Sequence, residues 1–550
     1  MSEVSVDFSQ SELQLQNSPI GRNALPLVCA VIAAILLGLV LSILRLNNGT
    51  FIYSMDDPYI GLAFSDQIRH GNYGMNPGVH AAPDSSILYP ILLAPASGTP
   101  LHPYLPLILN TMALFATLAI IWRFFEHLRL VQDTFGIVAQ ALALLLLAIF
   151  LNLIGVVFTG LEHNLHIMAV AATVYGLALL MDKGKMSPWL PAVIVLAPLL
   201  RYEGLALSLT AILVIALRGH WRTALGTFAL IVIFVGGFSV FLVHLGLPPL
   251  PSSVLTKSDF VAKGISGEGM GIIHSIGNNV WHMAFHPSGL LMLIIGVAAL
   301  VRCIRELPVR PWRWSSQALM ALLMVGLVGA HAVAGQFGWM DRYEDYAMAG
   351  TALIGIYLMQ GRIRAVLAEK KDRLLYFCLA AVTLSVFCSK YILSTWQVPI
   401  AANNIYEQQF QMHRFVDDFY RAPVAVNDLG LVSYRNPYFV LDLGGLASEK
   451  ARILRANDDT SAEDYRAFVA GSSAHLVIIY DEWFEHQIPV TWIRVASMDL
   501  SRERVSSSEA EVQFYATDNV TANKLRPELQ SFSASLPPGV KLTIYNPAEP

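Results

Sequence analysis

The sequence predicts a polytopic α-helical membrane protein with a C-terminal extracytoplasmic α/β domain. Three observations carry that prediction. Apolar residues make up 55% of the 550-residue chain and charged residues only 14%, against about 25% charged in ordinary globular proteins. Mean hydropathy is +0.52 over the whole chain. Long apolar runs recur as far as residue 394, and short alternating β-like runs replace them afterwards.

A spanning helix needs about 20 mostly apolar residues. Eleven segments read as spans: 24–46, 103–122, 134–152, 161–181, 189–200, 204–217, 223–244, 289–301, 315–337, 343–360 and 374–394. The first follows a polar, Ser- and Gln-rich tail, 1–23. It is too long for a signal-peptide core and shows no small-residue cleavage site, so an uncleaved helix is expected. The fifth span rises only about 18 Å, too little for a bilayer of about 30 Å. The break at 201–203 is therefore expected inside the outer leaflet, lining a cavity.

Orientation follows from the basic residues of short loops. With a cytoplasmic N-terminus, the inner loops 123–133, 182–188, 218–222, 302–314 and 361–373 hold fifteen Lys and Arg. The outer loops 47–102, 153–160, 201–203, 245–288 and 338–342 hold five, namely Arg69, Arg201, Lys257, Lys263 and Arg342. An odd number of spans then puts everything after 394 outside. That stretch opens with an amphipathic helix, 404–421. β-like runs follow at 423–427, 438–442, 475–480, 492–498, 511–517 and 540–546, with helical patterns near 461–470 and 521–532. A domain of residues 395–550 with α/β character is expected.

Composition also excludes functions. The formal net charge is −4, with acids and bases spread along the chain, so there is no basic face for nucleic acid. Cys29, Cys303, Cys378 and Cys388 lie in or beside apolar runs with no C-x-x-C pair. Buried thiols are expected, not a disulfide scaffold or a zinc site. No H-E-x-x-H or G-x-S-x-G motif occurs, and "GISGEGMG" at 264–271 lacks a P-loop lysine.

The outer loops carry the candidate chemistry. Asp56 and Asp57 are adjacent acids about ten residues after the first span, followed by Pro58, Tyr59 and a helical pattern. Asp57 suits a helix cap. The pair also suits general-base work or a shared divalent cation (Mg, Mn or Ca). Further polar groups gather at outer span ends: Glu162 and His163; Arg201, Tyr202 and Glu203; Lys257; and Asp341, Arg342, Tyr343, Glu344 and Asp345. Each cluster alone also fits a solvated membrane interface. Together they describe a cavity of acids, cations and aromatics suited to a lipid-linked anionic substrate. Cations would hold a phosphate or pyrophosphate, and an acid would take the proton of an attacking hydroxyl.

At these residues the chain resembles bacterial GT-C-type integral membrane glycosyltransferases, in particular their arabinofuranosyltransferase-like branch. The matching stretches, in order, are "DDPYI" 56–60, "GNYGMNPG" 71–78, "SSILYPILLAP" 85–95, "TGLE" 159–162, "RYEG" 201–204, "PLPSSVLTK" 249–257, Arg342–Tyr343 and "VAVNDLGLVSY…VLDLGGL" 424–446. They run through nearly the whole chain. Ser252 stands where Asn is usual, and "RYEG" where "RPDG" is common. The resemblance implies a GT-C-like catalytic membrane domain over 24–394 with the external loop 47–102. It implies transfer of a sugar, with arabinofuranose the best guess, from a polyprenyl phosphate to an acceptor hydroxyl of an envelope glycan, lipid or protein. The setting would be the outer face of a bacterial inner (plasma) membrane. Asp57 or Asp56 would be the base, with a divalent cation at the pair left open. Lys257 and Arg201 or Arg342 would hold the donor phosphate, and Glu162 and Glu203 the sugar hydroxyls. His163, Tyr343 and Tyr59 complete the donor-binding set. Two other classes stand as alternatives: a lipid-linked sugar or polysaccharide transporter or flippase, for which broken helices speak, and a non-catalytic envelope assembly protein.

Overall fold

The structure is a computed structural model. It describes residues 19–130, 133–258, 261–263, 269–306, 314–369, 371–457 and 459–545. The long apolar helices are α1 (Pro19–Leu46), α2 (Asp57–Arg69, short and outside the apolar set), α3 (Leu105–His127), α4 (Thr134–Phe150), α5 (His163–Lys183), α6 (Leu190–Leu200) and α7 (Gly204–Leu217). After them come α8 (Trp221–His244), α9 (Gly269–Phe285), α10 (Pro287–Arg305), α11 (Ser316–Ala334), α12 (Asp345–Ala368), α13 (Arg373–Phe387) and α14 (Ser389–Glu407). Among the described residues seven helices are long and apolar enough to cross a membrane, or eight with the bent pair at 373–420 counted once.

All eleven expected segments are helical, and the four outside the seven differ from them in ways visible in the helices. The pair α6 and α7 is indeed short. It breaks where expected: Arg201 is extended, with φ −153° and ψ 138°. A Cβ on Gly204 would meet the Ala197 carbonyl carbon at 2.5 Å, so the two halves touch backbone to backbone. Helix α12 has the length of a span but is not among the seven. The expected final span is not straight. It bends by 64° at Cys388, and the helix that follows runs on from Ser389 to Tyr420. It thus passes through residue 395 and absorbs the amphipathic helix expected at 404–421. Helix α9 lies in the loop 245–288, where no helix was expected. All four cysteines are free; Cys303 and Cys388 are buried, Cys29 is intermediate and Cys378 is exposed.

The loops expected to share one face do gather at one end of the bundle. Ser54 N–H donates to the Phe158 carbonyl (2.9 Å), Ile87 N–H to Leu199 (3.1 Å) and Ser252 N–H to Ala82 (3.0 Å). The basic loops gather at the other end, where His127 Nε2 and Tyr357 OH both meet the Asp182 carboxylate (2.8 and 2.7 Å) and Arg373 meets Asp133 (2.5 Å).

The C-terminal part is a mixed six-stranded sheet in the order β2-β1-β3-β5-β4-β6. The strands are β1 (Val424–Val426), β2 (Val440–Asp442), β3 (Leu476–Ile479), β4 (Ile493–Asp499), β5 (Glu511–Ala516) and β6 (Lys541–Ile544). All six coincide with the expected β-like runs. Strands β2, β1 and β3 are parallel, and β5, β4 and β6 add to them antiparallel. The central strands β1 and β3 are buried at every residue, as strands covered on both faces must be. One face packs on Tyr465, Phe468 and Trp492. The other joins Phe514, Phe532, Val424 and Val426 to Tyr53, Tyr59, Phe64 and Tyr89 of the first loop in a single apolar cluster. Sheet and first loop therefore share one core.

The tightest seam in that core is between the first loop and a one-turn helix, α15 (Gly430–Ser433). A Cβ on Gly430 would fall 2.3 Å from the Asp56 carbonyl oxygen and 2.4 Å from its Oδ2. Gly430→Ala is expected to cost about 1–3 kcal/mol through overpacking. A melting temperature of the detergent-solubilised variant equal to that of the parent would show the seam to be compliant.

Candidate functional site

The site lies where the first loop, the α6–α7 break, the loop before α12 and the sheet meet. Helix α2 begins at Asp57 with Pro58 in its first turn; Asp56 is the residue before it, and its side chain makes no capping bond. Asp57 is thus the first helical residue and not the cap that its position suggested. The two carboxylates face different surroundings.

Asp56 is 5% exposed. Its Oδ2 accepts from Gly430 N–H (2.6 Å) and its Oδ1 from Leu431 N–H (2.8 Å), so both oxygens are engaged by the start of α15. Burial and the neighbouring Asp428 carboxylate hold its pKa well above the ordinary range. Burial likewise raises Asp428, which accepts from Gln409 (2.8 Å) and Tyr480 (3.3 Å). Two acids this close are most stable sharing one proton. Asp57 instead meets a cation: Arg342 Nη2 donates to its Oδ2 at 2.5 Å. Arg342 is 2% exposed, and its guanidinium also lies 4.9 Å from the Tyr343 ring and donates to that phenol at 3.1 Å.

Two cavities share this pair. A small polar one, about 30 Å³, is lined by Asp57, Asp84, Ser85, Glu162, Arg201, Ser253, Arg342 and Tyr343. In it Arg201 bridges Glu162 (2.6 Å) and Glu203 (2.7 Å). One Glu162 oxygen has no hydrogen-bond partner. The nearby Arg201 holds Glu203 down to about 2. The larger cavity, about 250 Å³, runs from Asp56, Asp57, Arg342 and Tyr343 to Asp428, Arg455, Trp483 and Thr256. Arg455 sits 5.0 Å from the Trp483 ring.

The structure therefore brings Asp57, Arg342, Tyr343, Arg201 and Glu162 to common walls, with Glu203 on Arg201. Tyr59 is buried beneath them, its hydroxyl accepting from Tyr53 N–H (3.2 Å). His163 is buried at the start of α5 and does not line either cavity. The Lys257 backbone ends a short helix, Ser252–Lys257, and its side chain lies outside the described residues, as does 264–268 of "GISGEGMG". Sequence reasoning missed Asp84, Asp428, Arg455 and Trp483. Asp84 and Asp428 stand beside or inside motifs quoted above; Arg455 and Trp483 carry no local signal. Among the described residues, one group of three side chains presents ligand atoms close enough to hold a metal ion together: His286, Asp341 and Glu344.

A family model described as "Domain of unknown function (DUF8728)" matches residues 403–515. No curated protein matches the chain. Among solved structures, the Archaeoglobus fulgidus oligosaccharyltransferase in complex with Zn and sulfate is similar at a TM-score of 0.46 and 13% identity, over 92% of this chain and 74% of that one. The oligosaccharyltransferase AglB of the same organism, in complex with an inhibitory peptide and a dolichol-phosphate, is similar at 0.43 and 11%, over 89% and 74%. None of these descriptions names an arabinofuranosyltransferase.

The shared proton of Asp56 and Asp428 makes stability depend on pH. The folded state binds that proton more tightly than the unfolded chain. Its contribution is therefore complete below the ordinary carboxylate range and is lost as pH rises through the elevated folded-state value. Melting temperature is expected to fall as pH rises above the ordinary carboxylate range, and Asp428→Asn is expected to flatten the fall. A rise with pH in the parent protein would contradict the shared proton.

Proposed function

We propose that this protein is a membrane glycosyltransferase that moves a sugar from a polyprenyl phosphate to an acceptor hydroxyl at the outer face of a bacterial inner membrane. The sugar is arabinofuranose in this reading, and the acceptor an envelope glycan, lipid or protein. Residues 24–394 are the catalytic membrane domain and 395–550 the extracytoplasmic domain that closes over it.

One observation carries the reading: Asp57 contacts the buried Arg342 on the wall common to both cavities. A carboxylate and a guanidinium in contact are what this transfer needs. The acceptor oxygen attacks the anomeric carbon of the donor. Its proton passes to Asp57, and the bond from the anomeric carbon to the phosphate oxygen breaks. The bonding pair leaves with the polyprenyl phosphate, whose negative charge Arg342 and Arg201 stabilise. Arg342 pairs with Asp57 before the donor arrives. Drawn onto the incoming phosphate, it releases Asp57 to act as base. Glu162 retains a free oxygen for a sugar hydroxyl, and the larger cavity admits the acceptor past Trp483 and Arg455. Lys257, two turns of chain from the Pro251 bend, is assigned to the donor phosphate.

Asp57→Asn is expected to lower transfer by at least about a hundredfold while folding and donor binding persist. Turnover of purified lipid-linked sugar at the parent rate would reject the base role. Lys257→Ala is expected to raise the donor KM with little change in kcat, reflecting a phosphate contact of about 1.5–3 kcal/mol. An unchanged KM would remove Lys257 from the site.

A further inference from the structure

A second polar centre lies apart from both cavities, behind the loop that carries Arg342. His286, just before α10, and Asp341 and Glu344, just before α12, each present one ligand atom, and the three atoms lie within 4.8 Å of one another. Asp341 and Glu344 are buried. Their neighbour Asp345 is 1% exposed, and neither of its carboxylate oxygens has a hydrogen-bond partner. It lies within electrostatic reach of Glu344 and Asp341. Tyr391 feels all three carboxylates and donates to Glu344 (3.2 Å). Ser394 donates to Asp341, and Gly338 N–H to Glu344 (3.2 Å).

Among the described residues, no arginine or lysine forms an ion pair with Asp341, Glu344 or Asp345. Arg342, the cation between them in sequence, turns away to Asp57. The groups facing this centre are thus three acids, one imidazole, the phenol of Tyr391 and the ammonium of Lys390. Lys390 stands at the edge of the centre: its Nζ lies 3.3 Å from His286 Nε2 and within electrostatic reach of Asp341, but it forms no ion pair with any of the three acids. An ammonium only donates, so Nε2 accepts and the ring proton sits on Nδ1, facing Ser288 Oγ at 2.8 Å. That is the tautomer and the supporting bond of a metal-ligating histidine. Buried carboxylates without a cation are costly, and a bound metal is one of the few ways to compensate them.

The loop that carries two of these groups is itself tightly constrained. Gly338, Trp339, Met340 and Asp341 all have positive φ, at 93°, 52°, 62° and 50°. Three consecutive non-glycine residues in the left-handed region persist only where their surroundings hold them.

We propose that His286, Asp341 and Glu344 bind a divalent first-row metal ion of the Zn²⁺ or Mn²⁺ class, with the Asp345 carboxylate beside it. The ion clamps the 338–344 loop and so sets Arg342 against Asp57. An imidazole nitrogen among carboxylate oxygens suits these ions; Mg²⁺ and Ca²⁺ prefer all-oxygen shells. The Lys390 ammonium, exposed at the mouth, swings out as the ion enters.

The experiment uses the full-length protein in detergent, stripped with a chelator and then equilibrated with Zn²⁺ or Mn²⁺. Elemental analysis should find one ion per chain. The double variant His286→Ala with Glu344→Gln should bind it at least about tenfold more weakly, whereas Asp57→Asn should retain it. Equal binding by the double variant, or loss in Asp57→Asn, would overturn the assignment. Pulsed EPR of the Mn²⁺-loaded parent supplies a readout that needs no variant: modulation from a directly bound imidazole nitrogen is expected. Its absence, or an ion-free parent, would also overturn it. Neither readout measures sugar transfer, so this result stands or falls apart from the reaction proposed above.

Discussion

A buried guanidinium has to be paired, and the architecture at one end of this molecule follows from that requirement. Arg342 is almost wholly enclosed and reaches a single carboxylate, Asp57, on a segment 285 residues earlier. Deleting the Asp57 side chain would leave the enclosed guanidinium unpaired in a low-dielectric interior, at up to about 3–5 kcal/mol. The pair therefore fixes the late loop against the first loop. Arg201 repeats the arrangement with Glu162 and Glu203 across the α6–α7 break. Each cation thus ties its own segment to a distant one.

Adjacent residues can be given opposite tasks by their surroundings alone. Asp56 spends both oxygens on backbone N–H groups of α15 and shares a proton with Asp428. It joins the sheet to the bundle. Asp57, one position on, is a quarter exposed at its side chain and faces a cation and two cavities. Paired acids whose environments diverge in this way can take different roles.

The membrane character, the six strands and the end of the bundle that gathers the polar loops were legible in the sequence. Each rests on a strong local signal: long apolar runs, alternation within β-like runs, and basic loops on one side. The segments expected to be helical were legible, all eleven being helices, but apolar length does not reveal the 64° bend at Cys388. Asp57, Arg342, Arg201 and Glu162 were found because charges are costly in such a chain and stand out. The pairing of Arg342 with Asp57, and not Arg201 with Asp57, depends on tertiary packing that no spacing encodes. Arg455 and Trp483 were missed because an arginine and a tryptophan in a soluble α/β segment are unremarkable until the sheet folds back over the bundle.

That fold-back explains why the two halves cannot be assigned separate purposes. The aromatic cluster under the site contains Tyr53 and Tyr59 from the first loop and Tyr434 from the sheet side, with ring centroids 5.6 and 6.0 Å apart in succession. His102, at the start of α3, hydrogen-bonds both Ser65 (2.9 Å) and Tyr434 (3.2 Å). Displacing the sheet would open this cluster to water and remove the N–H groups that hold Asp56. Asp56 is covalently next to Asp57, so the displacement would also move the carboxylate that faces Arg342. The position of Asp57 is thus set from both sides: by a guanidinium from the membrane bundle, and through its neighbour by the backbone of the sheet domain.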